Sequence, residues 1–242
     1  MIFCLGVIVT RTAGCVINDY ADRNIDGQIS RTANRPIATG EIKPHSALLA
    51  CVFLLVLAFC LVIQTNYFTV VLSMVAVVLM TIYPFCKRWI NFPQVILGLT
   101  WGWVVPMSFA AVGHNISFVA FALYLSVVFW TIAFDTLYAM VDREDDIRVG
   151  VKSTAVYWAG NELRHIALCQ LCSLILLAYC GHQSGRGWAF GAGIAITAIC
   201  FVRQLRLANS REKSDCLNSF MNNHWVGMCI FLFLVLDYCM ID

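Results

Sequence analysis

Residues 117–154 read SFVAFALYLSVVFWTIAFDTLYAMVDREDDIRVGVKST. As far as Met140 the stretch holds a single charged residue, Asp135. As a helix, its apolar part, residues 117–140, is long enough to cross a bilayer core of about 30 Å. Past Met140 it turns at once into Asp142, Arg143, Glu144, Asp145 and Asp146. An apolar run that opens into a cluster of acids reads as a spanning helix arriving at the membrane surface. Tyr138, Asp142 and Asp146 recur every four residues, so on a helix they stack along one side. Asp135 lies one turn earlier, and Asp145 sits beside the last of the three.

The rest of the chain repeats the pattern. Apolar stretches of spanning length cover residues 1–19, 46–65, 67–85, 94–112, 164–181, 187–204 and 220–239, which with 117–140 predicts eight spans. Of 242 residues, 60% are hydrophobic and 12% charged, against about 45–50% and about 25% in soluble domains. The expected fold is therefore all-α, a single domain over residues 1–242 forming a transmembrane helical bundle around a central cavity. The net charge of +2 gives no footprint for nucleic acid, and no such partner is expected. The 12 cysteines lie mostly inside apolar runs, where free Cys behaves as a small hydrophobe. The one C-x-x-C, Cys169 to Cys172, sits in a long apolar helix with no second pair to complete a metal site.

Lysine and arginine decide the topology. Fourteen of the 16 fall in or beside the gaps at 20–45, 86–93, 141–163 and 205–219, while the gaps at 66, 113–116 and 182–186 are short and nearly uncharged. Such alternation puts the four charged gaps in the cytoplasm. Met1 is followed directly by an apolar run without the basic region or cleavage site of a signal peptide. Residues 1–19 are thus expected to be a retained span, in a chain shortened at its start.

A second acidic ladder stands at the first charged gap, where Asn18, Asp22 and Asp26 have the same i, i+4, i+8 spacing. On a helix they would fall within about 12 Å of one another. Two carboxylate ladders meeting at one membrane face repel unless cations lie between them. Their oxygen donors suit a hard cation such as Mg²⁺, which completes its shell with water and phosphate oxygens. The run from Asp22 through Gly27 also matches the first half of a calcium loop, but Ala33 stands where that loop needs its bidentate Glu. Ion transport would favour acids spread through the bilayer depth, whereas these cluster at one side. Basic residues fit an anionic substrate. Arg11 lies seven residues before Asn18 on the same helical face, Lys87 and Arg88 follow a helix end, and Arg31, Arg35 and Lys152 lie in the motif loops.

The segments NDYADRNIDGQISRTANRP (18–36) and DTLYAMVDREDDIRVGVKST (135–154) resemble the two signatures of the UbiA family of membrane prenyltransferases, in the 4-hydroxybenzoate polyprenyltransferase branch. YPFCKRW (83–89) and PQVILGLTWGWVVPMSFAAVG (93–113) are similar to that branch too. The resemblance implies a bundle of nine helices around a cavity, the family's first being absent here. It also implies Mg²⁺ on Asn18, Asp22, Asp26, Asp142 and Asp146, with Arg88 on diphosphate or the acceptor carboxylate. Arg11, Arg31, Lys87, Lys152 and Tyr138 are expected around the substrate, and Asp135 beside the acceptor phenol. The implied reaction moves a polyprenyl group from its diphosphate to the carbon ortho to the hydroxyl of 4-hydroxybenzoate, in ubiquinone biosynthesis. Tyr20, Tyr138, Trp101 and Trp103 offer faces for an allylic cation. The expected location is the bacterial inner membrane, with the oligomeric state open. Another aromatic acceptor or, from another class, a cation-coupled transporter are the alternatives.

Overall fold

The computed structural model describes residues 1–113 and 115–241, without the side chain of Ile241. Its helices are α1 (Ile2–Asp22), α2 (Pro44–Val62), α3 (Tyr67–Cys86), α4 (Pro93–Gly102), α5 (Val104–Ala111), α6 (Phe118–Val149), α7 (Thr154–Tyr157), α8 (Glu162–Gln183), α9 (Trp188–Ala208), α10 (Lys213–Met221) and α11 (Asn223–Ile241). Taking α4 with α5, and α10 with α11, eight helices among the described residues have the length and apolarity to cross a membrane, as the sequence predicts.

The two broken spans have local causes. Pro106 has no N–H for the carbonyl of Gly102, and its ring crowds that carbonyl, so α4 stops there and α5 starts after Trp103. Between α10 and α11 the Asn223 amide donates to the carbonyls of Ser219 (3.3 Å) and Phe220 (2.9 Å), competing with the helical ladder.

The helix α6 runs well past the apolar stretch that announces it. Its 32 residues span about 48 Å, ending at Val149 rather than near Met140. The loss of apolarity marks the membrane surface, not the end of the helix. Gly150 supplies that end, at φ 74°, with the Val151 N–H donating to the Asp146 carbonyl at 2.9 Å. For the same reason α10 begins at Lys213, before the apolar run starting at 220.

Around α6 the bundle assembles in two halves. On one flank α4 packs closely through Gly98 and Gly102. A Cβ at Gly98 would stand 2.9 Å from the Val128 carbonyl, and one at Gly102 would stand 2.9 Å from the Tyr124 ring. This small-xxx-small spacing lets two backbones meet where lipid provides no hydrophobic drive. On the other flank α8 and α10 close a core containing Leu137, Ile166, Ala208 and Cys216, all fully buried. Ser126 Oγ donates to the Ser173 carbonyl at 2.9 Å across α6 and α8. The helix α1 packs on α2 and α3, and the Trp103 indole donates to the Leu72 carbonyl at 2.9 Å, joining α3 to the break between α4 and α5. All 12 cysteines are free, Cys169 and Cys172 included.

Candidate active site

Both acidic motifs sit at the C-terminal ends of helices, at one end of the bundle. Asp22 is the last residue of α1, with Asn18 one turn behind it and half-buried. Asp142 and Asp146 occupy the last two turns of α6, both buried. Asp26 departs from the expected continuous ladder. The chain leaves the helix after Asp22, and Asp26 opens a short 3-10 turn over Asp26–Gln28. Asn24, Asp26 and Gly27 are turn formers, which the i+8 spacing alone does not register. Asp26 is nonetheless buried, its carbonyl accepting from Thr32 Oγ1 at 3.1 Å.

The loop after α1 folds onto the end of α6. Arg31 forks onto Asp142, with Nε 3.1 Å from each carboxylate oxygen, and its guanidinium lies 4.6 Å from the centre of the Tyr138 ring. Ser30 Oγ donates to Asp145 at 3.2 Å, and Arg148 donates to both Asp145 (2.8 Å) and the Gln28 carbonyl (2.7 Å). Arg35 bridges Asp19 (2.8 Å) and Asp26 (3.0 Å), and Lys87 pairs with Asp22. Two segments more than a hundred residues apart thus form one charged surface. Burial alone would lower the pKa of Arg31, but the hydrogen bond to Asp142 and the surrounding negative charge raise it above its ordinary value. It stays a cation at any working pH.

Carboxylates at helix C-termini face the negative end of the dipole, an unfavourable placement of about 0.3–1 kcal/mol each. Lys87 and Arg31 offset it with positive charge. Among the described residues no three acidic, His or Cys groups form a ready-made metal cluster. The donor set still fits Mg²⁺, since it is all oxygen. Asp22 Oδ1 is buried without a hydrogen bond, and Asp146 is buried with no ion pair among the described residues.

Deeper in the bundle, Asp135 lies beside Gln94, a residue that spacing did not single out. Gln94 Oε1 accepts from the Thr154 N–H at 3.0 Å, so its NH₂ faces the other way, toward Asp135. Thr154 is fixed in turn, its hydroxyl 2.8 Å from that of Thr136. Tyr83 faces the same interior, within electrostatic reach of Asp135, Asp22, Tyr138 and Arg11. Arg11 donates to Cys15 Sγ at 2.7 Å and lies 5.7 Å from the Trp101 ring centre. The signals for Gln94 and Tyr83 were a polar residue in the first turn of an apolar helix and a tyrosine just before a proline.

Two expected substrate contacts hold backbone in this structure. Arg88 donates to the Ala21 carbonyl, and Lys152 Nζ donates to the Trp89 carbonyl at 2.9 Å. They tie the loop after α3 to α1 and to the loop after α6. Of the four aromatic candidates, Trp103 packs in the core between α4 and α6, and Tyr20 lies under Arg23, 4.4 Å from the ring centre. Tyr138 and Trp101 remain beside the charged groups.

Residues 1–233 match the UbiA prenyltransferase family. A protein of Actinobacillus pleuropneumoniae serotype 5b is 46% identical over 231 residues, covering 96% of this chain and 79% of the relative. One from Saccharophagus degradans is 46% identical over 238 residues, covering 98% and 79%. Both are described as 4-hydroxybenzoate octaprenyltransferases. Among solved structures, a UbiA homologue from Aeropyrum pernix superposes with a TM-score of 0.85 at 23% identity, over 96% of this chain and 87% of that one. A homologue from Archaeoglobus fulgidus, bound to GPP and Mg²⁺, gives 0.71 at 20% identity, over 98% and 86%.

Proposed function

The chain belongs to the UbiA prenyltransferase family, and from that membership we propose that it transfers a polyprenyl group from polyprenyl diphosphate to 4-hydroxybenzoate, ortho to the hydroxyl. The observation that carries this is the fork of Arg31 on Asp142, which joins the loop of one acidic motif to the helix of the other. Such a surface, acidic and basic at once, suits a diphosphate with its counter-cation better than a simple cation. The acceptor is assigned from the two relatives described as 4-hydroxybenzoate octaprenyltransferases, and Mg²⁺ from its presence with GPP in the Archaeoglobus fulgidus homologue.

In the proposed reaction Asn18, Asp22, Asp26, Asp142 and Asp146 would hold Mg²⁺. When bound, the metal neutralises diphosphate and so eases its departure. Lys87, Arg31 and Arg35, which balance the carboxylates in this structure, turn to the diphosphate oxygens and stabilise the charge that grows there. The Tyr138 and Trp101 faces lie toward the allylic cation left behind. Gln94 fixes Asp135, which orients the acceptor phenol, and Arg11 offers a cation for the acceptor carboxylate. The ring carbon ortho to the hydroxyl then attacks, and a proton leaves. The excess of Lys and Arg at this end supports a cytoplasmic side for it, with the prenyl tail in the inner membrane and the product on the route to ubiquinone.

Purified protein, labelled 4-hydroxybenzoate and octaprenyl diphosphate provide the test. The expected result is labelled lipid and released diphosphate, both lost with EDTA and restored by Mg²⁺. Prenylation of a naphthoate or homogentisate in place of 4-hydroxybenzoate would overturn the acceptor assignment. Diphosphate release that ignored both EDTA and added Mg²⁺ would overturn the metal assignment.

A further inference from the structure

At the end of the bundle that carries the acidic motifs, a second group of cations surrounds a groove between α8 and α9. Leu163, Arg164, Val202, Leu205, Arg206 and Asn209 line it, enclosing about 450 Å³. Arg203 is one turn back from Arg206, and all three arginines are exposed. Their neighbours at this end behave differently. Arg31, Arg35, Arg143, Arg148 and Arg211 each pair with a carboxylate, and Arg23 and Arg88 donate to backbone carbonyls, whereas among the described residues Arg164, Arg203 and Arg206 do neither. Glu162, the nearest acid in sequence to Arg164, is fully buried and already shared by Arg143 (2.7 Å) and Arg211 (3.3 Å).

Topology alone asks for positive charge at this end, not for two unpaired guanidiniums on facing helices above an apolar floor, with a third one turn away. Arg164 is also in the first turn of α8, where the helix dipole disfavours a cation. An anion in the groove would relieve that placement. Running from the groove toward the middle of the bundle, Leu168, Leu171 and Ile175 of α8 and Ile199 and Val202 of α9 are exposed large hydrophobics. The groove therefore joins a cationic rim to an apolar strip of membrane depth.

We propose that the groove binds the headgroup of an anionic phospholipid, with Arg164 and Arg206 on its phosphate, Arg203 adding positive charge one turn away and the acyl chains along the strip. The partner is recognised by charge at one end and hydrocarbon at the other, which a free phosphate lacks. The site is independent of the prenyl-transfer reading, and none of its residues belongs to that machinery.

Detergent-purified full chain is titrated with phosphatidylglycerol or phosphatidylcholine, and thermal unfolding and native mass spectrometry report retained lipid. Phosphatidylglycerol is expected to stabilise the chain and stay bound, phosphatidylcholine much less, with the difference fading as salt rises. Each basic residue at an anionic surface contributes about fivefold, so replacing all three by Ala lowers the apparent affinity about a hundredfold. The triple change to Lys keeps the preference for phosphatidylglycerol, which separates lost binding from lost folding. Equal retention of both lipids, or phosphatidylglycerol retention unchanged in the Ala variant, overturns the site. Stabilisation by inorganic phosphate alone equal to that by phosphatidylglycerol overturns the lipid assignment.

Discussion

Asp22 and Asp237 are the same residue type, each 1% exposed and each on an apolar helix, at opposite ends of the bundle. Their surroundings differ. Asp237 accepts from the backbone N–H of Gly187 (3.0 Å) and of Phe190 (3.1 Å), capping α9 from the adjoining α11, with Arg186 at 3.9 Å. Both of its oxygens close on rigid backbone. Asp22 meets one flexible lysine, and its other oxygen is buried without a hydrogen bond. A carboxylate that holds a fold together is satisfied by groups that cannot leave. One proposed to bind a ligand, as Asp22 is, is balanced by a group that can leave, and it keeps a lone pair free.

The largest expected effect breaks the open end of this comparison. Asp22→Ala or Asp142→Ala should lower transfer by about a hundredfold to a thousandfold, the scale of losing one electrostatic contact to the leaving group. Folding in membranes should persist, because Lys87 and Arg31 are partly exposed and find water when released. Turnover measured at saturating Mg²⁺ checks it. Near-normal turnover in either variant would falsify the shared site.

Next in size is the fork of Arg31 on Asp142. Arg31→Ala removes a bidentate, charge-assisted contact of about 1.5–3 kcal/mol, and with it the tie between the motif loops. The expected result is a rise of about tenfold to a hundredfold in KM for the prenyl diphosphate, the acceptor KM changing little. A matched rise in both KM values would point to general loosening instead.

Much of this was legible in the residues. Eight apolar runs became eight spans, because in lipid the helix is the only way for a single segment to satisfy its backbone. The i, i+4 spacing of Asp142 and Asp146 survives on α6, and the Lys and Arg gaps do gather at one end. What the pattern hid was geometry of loops and ends. Asp26 sits on a 3-10 turn because local turn chemistry outweighs a periodicity only nine residues long. Arg88 and Lys152 point at carbonyls rather than acids, which composition cannot distinguish. Gln94 matters through Thr154, sixty residues away, and only tertiary contact reveals that link.

A smaller effect tests how the interior is positioned. Gly98→Val places a branched side chain against the Val128 backbone, where even a Cβ would be 2.9 Å from the carbonyl. Separating α4 from α6 should destabilise the fold by about 1–3 kcal/mol, as overpacking does. Because Gln94 lies one turn earlier on α4, kcat should fall with the thermal midpoint. An unchanged midpoint with Gly98→Val would show that the close approach of α4 to α6 is not needed.

The smallest effect lies at the closed end. Asp237→Asn keeps one carboxyl-type oxygen for a backbone donor but turns an NH₂ toward the other. It also removes a negative charge from the N-terminus of α9, where the dipole favours one. The combined loss is about 1–2 kcal/mol, which for a chain of this size lowers the unfolding midpoint by about 2–8 °C. Transfer per folded molecule should stay within about twofold, because Asp237 touches α9 and its loop and not the acidic motifs. The two quantities separate the roles: a structural carboxylate moves the midpoint alone, a ligand carboxylate moves turnover alone. If Asp237→Asn left the midpoint in place and cut turnover tenfold, backbone satisfaction would no longer distinguish the two kinds of buried acid. Asp22 and Asp237 would then have to be told apart by position alone.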